Sequence, residues 1–134
     1  MIQYSQTQQI TNTAFIDLLN RSTLGQRRPV DEPERIQTML NHGNVLVTAW
    51  DGDKLVGVSR ALTDFSFCSY LSDLAVDESY QHQGIGKKLI DLTHQASGGD
   101  KVALILLAAP AAVNYYAKVG MQASNVCFVI PRVS

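Results

Sequence analysis

Cysteine is scarce: Cys68 and Cys127 are the only two in 134 residues, too few for a disulfide framework. With His42, His82 and His94 they form no CxxC, HxxxH or HExxH spacing, so no metal site is expected. Charge is sparse and balanced, with 11 Lys plus Arg against 12 Asp plus Glu and a formal net charge of −1. Such a chain lacks the broad positive field on which non-specific nucleic-acid binding draws, and no nucleic-acid partner is expected. Long apolar runs are missing too. The longest, Val102 to Val113, is broken by Pro110 and is too short for a bilayer, which removes the membrane as a partner. Met1 to Gln6 has no basic start followed by an apolar stretch, so no secretory signal is read. These absences point to a soluble protein in a reducing, cytoplasmic compartment.

What is present suits one domain over residues 1–134. Apolar residues make up 46% and charged residues 17%, a balance that argues against disorder. A chain of this size buries roughly two thirds of its unfolded surface, enough for a core without staples. No repeat or low-complexity linker appears. The periodicity predicts a strand at Ile2–Ser5, then a helix capped at Asn12 or Thr13 and carrying Phe15, Ile16, Leu18 and Leu19. A loop over Arg21–Val30 leads to a second helix opened by Glu32-Pro33-Glu34 and closed by Gly43. Val45–Trp50 and Lys54–Ala61 read as a hairpin around Asp51-Gly52, and Tyr70–Val76 as a further strand. From Gly84 the period turns helical, with Ile85, Leu89, Leu92 and Ala96 on one face. Val102–Leu107 reads as a strand covered on both faces, Ala111–Val119 as a short helix, and Val126–Ile130 as a last, edge strand with Cys127 inside it. The order is α/β: an antiparallel meander, then a crossover that makes Tyr70–Val76 and Val102–Leu107 parallel neighbours.

The most informative stretch runs from Asp73 to Leu89, where a strand passes through a polar loop into a helix whose entrance holds Gly84 and Gly86. First-turn amides have no internal partner, the helix dipole is positive there, and glycine lets an anion approach the backbone. Lys87 and Lys88 add charge, so a diphosphate is favoured. The spacing is not a P-loop, because Gly84-Ile85-Gly86-Lys87-Lys88 lacks the span and the hydroxyl. Nor is it a dinucleotide fingerprint, whose third small residue is here Leu89. What fits is Gln-x-x-Gly-x-Gly, Gln81 to Gly86.

That segment resembles the Arg/Gln-x-x-Gly-x-Gly/Ala signature of the GCN5-related N-acetyltransferase (GNAT) family, and the resemblance covers nearly the whole chain. It implies a GNAT fold: a mixed, mostly antiparallel sheet with a central parallel pair and helices on both faces. It implies acetyl-CoA as cosubstrate, its diphosphate held by main-chain N–H groups of Gln81, His82, Gln83, Gly84, Ile85, Gly86 and Lys87. It implies that Leu74, Ala75 and Val76 pair with the pantetheine arm where two parallel strands splay. A second segment, Ala112-Val113-Asn114-Tyr115-Tyr116-Ala117-Lys118-Val119-Gly120-Met121, is similar to the family's Ala-x-x-Phe-Tyr-x-x-x-Gly-Phe. Tyr116 then matches the tyrosine that protonates the leaving thiolate, and Tyr115 reads as a core aromatic. Met121 replaces a Phe, and Ala109 stands where many members carry Asn.

The implied reaction moves an acetyl group to the amine of a small molecule by direct attack. Val76 N–H would serve the oxyanion and Tyr116 the thiolate. Asp73, expected on one face with Leu71 and Ala75, would take the ammonium proton, bind a cationic substrate or pair with an arginine. His82, His42 and His94 are expected to point outward or lie near helix ends, and Cys68 has no neighbour that lowers its pKa. The acceptor wall falls on Leu24 to Pro29 with Asp31 and Glu32. With Ser59 to Asp64 this stretch is similar to the plastid branch that acetylates arylalkylamines such as serotonin. Phe65 and Phe67 would give aromatic walls and Asp64 an anionic anchor. A catalytically silent CoA-binding or regulatory module is the alternative, and a homodimer through the last strand is expected from small members of the family.

Overall fold

The computed structural model describes residues 1–134. Five strands lie in the order β1-β2-β3-β4-β5, with β1 Ile2–Ser5, β2 Val45–Asp51, β3 Lys54–Thr63, β4 Cys68–Val76 and β5 Ala103–Ile105. The first four pair antiparallel, and β5 joins β4 in parallel. Helices α1 (Asn12–Arg21) and α2 (Pro33–His42) cover one face, α3 (Ile85–Ser97) covers the other, and the short α4 (Val113–Lys118) follows β5.

Local chemistry accounts for these elements. The Thr11 hydroxyl accepts the Ala14 N–H at 3.1 Å and starts α1, whose Phe15, Leu18 and Leu19 are fully buried at helical spacing. Pro33 opens α2, which adds Ile36 to the same layer against Leu55, Val58 and Ala75 of the sheet. On the far face Ile85, Leu89 and Ile90 of α3 meet Val45, Val47, Ala49, Val56, Ala61 and Leu71. Each large apolar side chain so buried contributes about 1.5–3 kcal/mol of transfer free energy. His94, expected on the outer face of α3, instead brings Nε2 to 2.7 Å from the Val102 carbonyl and ties α3 to the segment entering β5.

A bulge in β4 changes the faces. Arg60 pairs with Asp73 but Ala61 pairs with Leu71, so Ser72 is the extra residue. Before the bulge Leu71 packs under α3, whereas after it Ala75 packs under α1 and α2. Asp73 therefore shares a face with Ala75 and not, as strict alternation predicts, with Leu71.

The carboxy-terminal third departs from expectation. The Val102–Leu107 run gives only a three-residue strand, Ala103–Ile105, with Ile105 and Leu107 half exposed and not covered on both faces. Val126–Ile130 forms no strand: Phe128 is 93% and Ile130 98% exposed, and no main-chain hydrogen bond to other main-chain atoms involves residues 122–134. Cys127 is exposed rather than interior. Strand propensity needs a partner edge, and β5 offers too little ladder to supply one. The parallel pair consequently lies at the end of the sheet.

Candidate active site

Strands β4 and β5 pair at Cys68–Ala103, Ser69–Leu104 and Tyr70–Ile105 and then part. From Leu71 onward the outer edge of β4 faces no strand, and a cleft of about 540 Å³ opens between it, Leu106 to Ala109, α4 and the mouth of α3. The splay implied by the resemblance is thus a feature of this chain. The Asp77 N–H donates to the Val56 carbonyl at 2.8 Å. Alternation along the antiparallel pair then turns the main-chain groups of Leu74 and Val76 toward the cleft and those of Ala75 toward β3.

The loop from β4 to α3 is anchored at both ends. The Asp77 carboxylate accepts the Ser79 N–H at 2.7 Å and pairs with Arg21, which also donates to the Leu55 carbonyl at 2.9 Å. Burial pushes the Asp77 carboxyl up, but the Ser79 amide and the Arg21 charge outweigh it and hold it below the usual range. Further along, Tyr80 hydrogen-bonds Asp51 and Gln81 Nε2 donates to the Val76 carbonyl at 3.3 Å. Gly84 then caps α3 at φ +81 with no side-chain acceptor. Lys88 is the first residue to bond back, to the Gly84 carbonyl at 3.1 Å, so the amides of Ile85, Gly86 and Lys87 have no partner within the helix. They lie at the cleft with the positive end of the dipole behind them.

Of the expected cofactor residues, Leu74, Ala75, Val76, Gln81, His82, Gly84, Ile85, Gly86 and Lys87 line the cleft, while Gln83 does not. Tyr116 lines it as well. Burial, and secondarily Tyr115, push the Tyr116 phenol above its ordinary value of about 10, although the Arg28 charge pulls the other way. It remains protonated at neutral pH and can donate.

Tyr115 is the residue that sequence reasoning missed. It is not a core aromatic: it lines the cleft, and its hydroxyl occupies the place where a Cβ on Gly86 would sit. Its ring meets Tyr116 edge-on, with centroids 5.3 Å apart. The available signal was the doubled tyrosine, since adjacent residues on a one-and-a-half-turn helix cannot both face the same core.

Asp73 stands differently from its proposed role as a base. It is fully buried and does not line the cleft. Arg28 Nε reaches Oδ1 at 2.5 Å and Arg60 Nε reaches Oδ2 at 2.5 Å. The same two arginines hold the bulge: Arg28 donates to the Ser72 carbonyl at 2.6 Å and Arg60 to the Ser72 hydroxyl at 3.1 Å. Both oxygens of the carboxylate are thus held by charge-assisted bonds. Pairing with arginine, one of the readings left open, is what the geometry shows.

Other expectations about the acceptor wall need correction. Thr23, Leu24, Arg27 and Arg28 do line the cleft, but Asp31 and Glu32 do not. Phe65 and Phe67 sit at the β3–β4 turn, away from the cleft. Asp64 accepts the Ser66, Phe67 and Cys68 amides in that turn, which hold its carboxyl below the usual range. None can wall or anchor a molecule in the cleft.

The family model for the acetyltransferase (GNAT) domain matches residues 23–129. The chain belongs to the GNAT acetyltransferase family. Over 71 residues, 52% of this chain, it is 35% identical to GCN5-related N-acetyltransferase 2, chloroplastic, of Arabidopsis thaliana, and as much to histone acetyltransferase TAP1 of Glycine max. The matched stretch spans only 28% and 31% of those proteins. A GNAT family acetyltransferase of Streptococcus pneumoniae TIGR4 superposes with a TM-score of 0.76 at 24% identity, covering 100% of this chain and 98% of its own, and shares the fold. Acetyltransferases of this fold use acetyl-CoA as cosubstrate, and the uncapped α3 mouth beside the open β4 edge fits that group.

Proposed function

We propose that this chain, a single domain over residues 1–134, transfers the acetyl group of acetyl-CoA to the amine of a small molecule by direct attack. The observation that carries the reading is the continuity of the open β4 edge with the uncapped amides of α3. A diphosphate finds unpaired N–H donors at Ile85, Gly86 and Lys87, and an extended amide-bearing arm finds the main chain of Leu74 and Val76.

Acetyl-CoA, when bound, supplies an activated thioester. The protein's part is electrostatic and positional. The Val76 N–H, turned into the cleft, is the donor we assign to the developing oxyanion. Tyr116, protonated at neutral pH, supplies the proton or hydrogen bond for the departing thiolate. No Asp or Glu lines the cleft. The amine must therefore reach the site neutral.

Calorimetry with CoA and a thiol-release assay over an amine panel test this reading. CoA uptake with thiol release is the expected result, and no CoA uptake by folded protein would end it. The second reading, a silent CoA-binding or regulatory module, draws on Ala109, which presents only a methyl group to the cleft. It predicts tight CoA uptake with no turnover of any amine. A homodimer belongs to the same proposal, because the free edge of β5 and the apolar Val126–Ile130 are both unpaired. Sedimentation of the folded chain measures it.

A further inference from the structure

The charges of the cleft are one-sided. Among its lining side chains are Arg27, Arg28 and Lys87, and no carboxylate. Two of these cations are already occupied. Lys87 pairs with Asp91 at 2.7 Å, and Arg28 is spent on Asp73, the Ser72 carbonyl and the Arg27 carbonyl. Arg27 is different. It is exposed at the end of the turn Leu24–Arg27, and its guanidinium makes no hydrogen bond or ion pair within the protein. The one carboxylate near this end of the cleft, Asp73, is buried behind two arginines.

Arg27 reaches the cleft from the α1–α2 connection, not from the β4–α3 loop whose uncapped amides offer the diphosphate site. An unpaired guanidinium there is a fork for a planar or tetrahedral oxyanion. A purely cationic acceptor, by contrast, would meet the unpaired Arg27 and no carboxylate in the cleft lining.

We infer that the acceptor is an amine that also carries an anionic group, a carboxylate or a phosphate, bound by Arg27. The inference rests on the acetyl-transfer reading and narrows its substrate class. It separates this chain from one built for an arylalkylamine without an anionic group or for a lysine-rich peptide. The anion draws the molecule in and fixes its orientation at Arg27.

The test is a panel of matched amines assayed by thiol release: amino acids beside their carboxamides, an aminohexose phosphate beside the free aminohexose, an arylalkylamine and a lysine peptide. The anionic member of a pair should show kcat/KM at least about tenfold higher, the usual weight of one charge-assisted contact. Arg27→Gln should close that gap through KM for the amine and leave KM for acetyl-CoA unchanged, and Arg27→Lys should restore part of it. Because the Arg27 side chain has no partner to lose, the variants should fold as the parent does. Calorimetry of the preferred anionic amine with CoA-saturated protein gives a second readout, weakened in Arg27→Gln. Equal turnover of paired amines, preference for the lysine peptide, or an Arg27→Gln variant that keeps the gap would overturn the inference. CoA uptake without thiol release from any amine would instead remove acetyl transfer, and the binding arm would still decide the role of Arg27.

Discussion

Arg28 donates to the main-chain carbonyl of Ser72 at 2.6 Å across a sequence separation of 44, and so fastens the α1–α2 connection to the bulge of β4. The contact joins the wall of the cleft to the irregularity beside which β4 and β5 part. With Asp73 and Arg60 it makes a compact ionic unit on the α1–α2 face.

Removing one member of that unit should cost stability first. Arg60 is nearly buried, and Arg60→Ala would leave Asp73 short of a partner at an expense of about 3 kcal/mol. Arg28→Ala, at a more exposed arginine, should cost about 2 kcal/mol and loosen the Leu24–Arg27 turn. Urea unfolding measures both. Asp73→Asn should lose stability too, yet per folded molecule it should keep the parent's pH–rate profile. A rising limb that vanishes in Asp73→Asn would return Asp73 to the role of base.

Gly86 and Tyr115 should prove coupled. Alanine favours a helix interior over glycine by about 1 kcal/mol, but a Cβ at Gly86 collides with the Tyr115 hydroxyl. Gly86→Ala should therefore displace Tyr115 and weaken CoA binding by about tenfold. Adding Tyr115→Phe, which deletes the colliding oxygen, should recover part of the loss. Calorimetry of the two single variants and the double variant gives the coupling. Unchanged CoA affinity in Gly86→Val would count against the α3 mouth as the diphosphate site.

Acid should act on the exit of β4. The Asp77 carboxyl is held below the usual range, so its contribution to stability is full above the unfolded value, about 3.9, and fades as pH falls through the lower folded value. Asp77→Asn should flatten the dependence of Tm on pH at the acid end and lower Tm at pH 7, where the Arg21 pairing is lost. An acid limb identical to the parent's would show that Asp77 carries none of it.

The legible parts of this molecule were those governed by neighbours in sequence. Pro33 and Gly84 mark helix starts locally and Asp51-Gly52 marks its hairpin, and the first helix lies where its pattern put it, although its cap is Thr11 and not the expected Asn12 or Thr13. The Gln81–Gly86 spacing likewise told where an anion could sit, because that depends on one helix end. What sequence could not show was set across distance. Nothing in Leu71-Ser72-Asp73 announces a bulge, since Ser72 is made the extra residue by its pairing with β3 and its grip by Arg28 and Arg60. Val126–Ile130 has every local mark of a strand and no edge to join. The period-2 rule failed at Asp73 for the first of these reasons and at Val126–Ile130 for the second.

The pH dependence of turnover should separate the chain's two proton problems. No carboxylate lines the cleft, so kcat/KM should climb with pH as the acceptor amine loses its own proton and should level near that amine's pKa. Acceptors of different basicity should move the limb with them, which a fixed protein base would not allow. Tyr116 acts at the other end. Burial holds its phenol above about 10, so it stays a donor through neutral pH and fails only in strong alkali. Tyr116→Phe should lower kcat by roughly one to two powers of ten, the usual weight of one acid–base role, and abolish the alkaline decline. A Tyr116→Phe enzyme with the parent's kcat and the parent's alkaline limb would show that the thiolate leaves without this phenol.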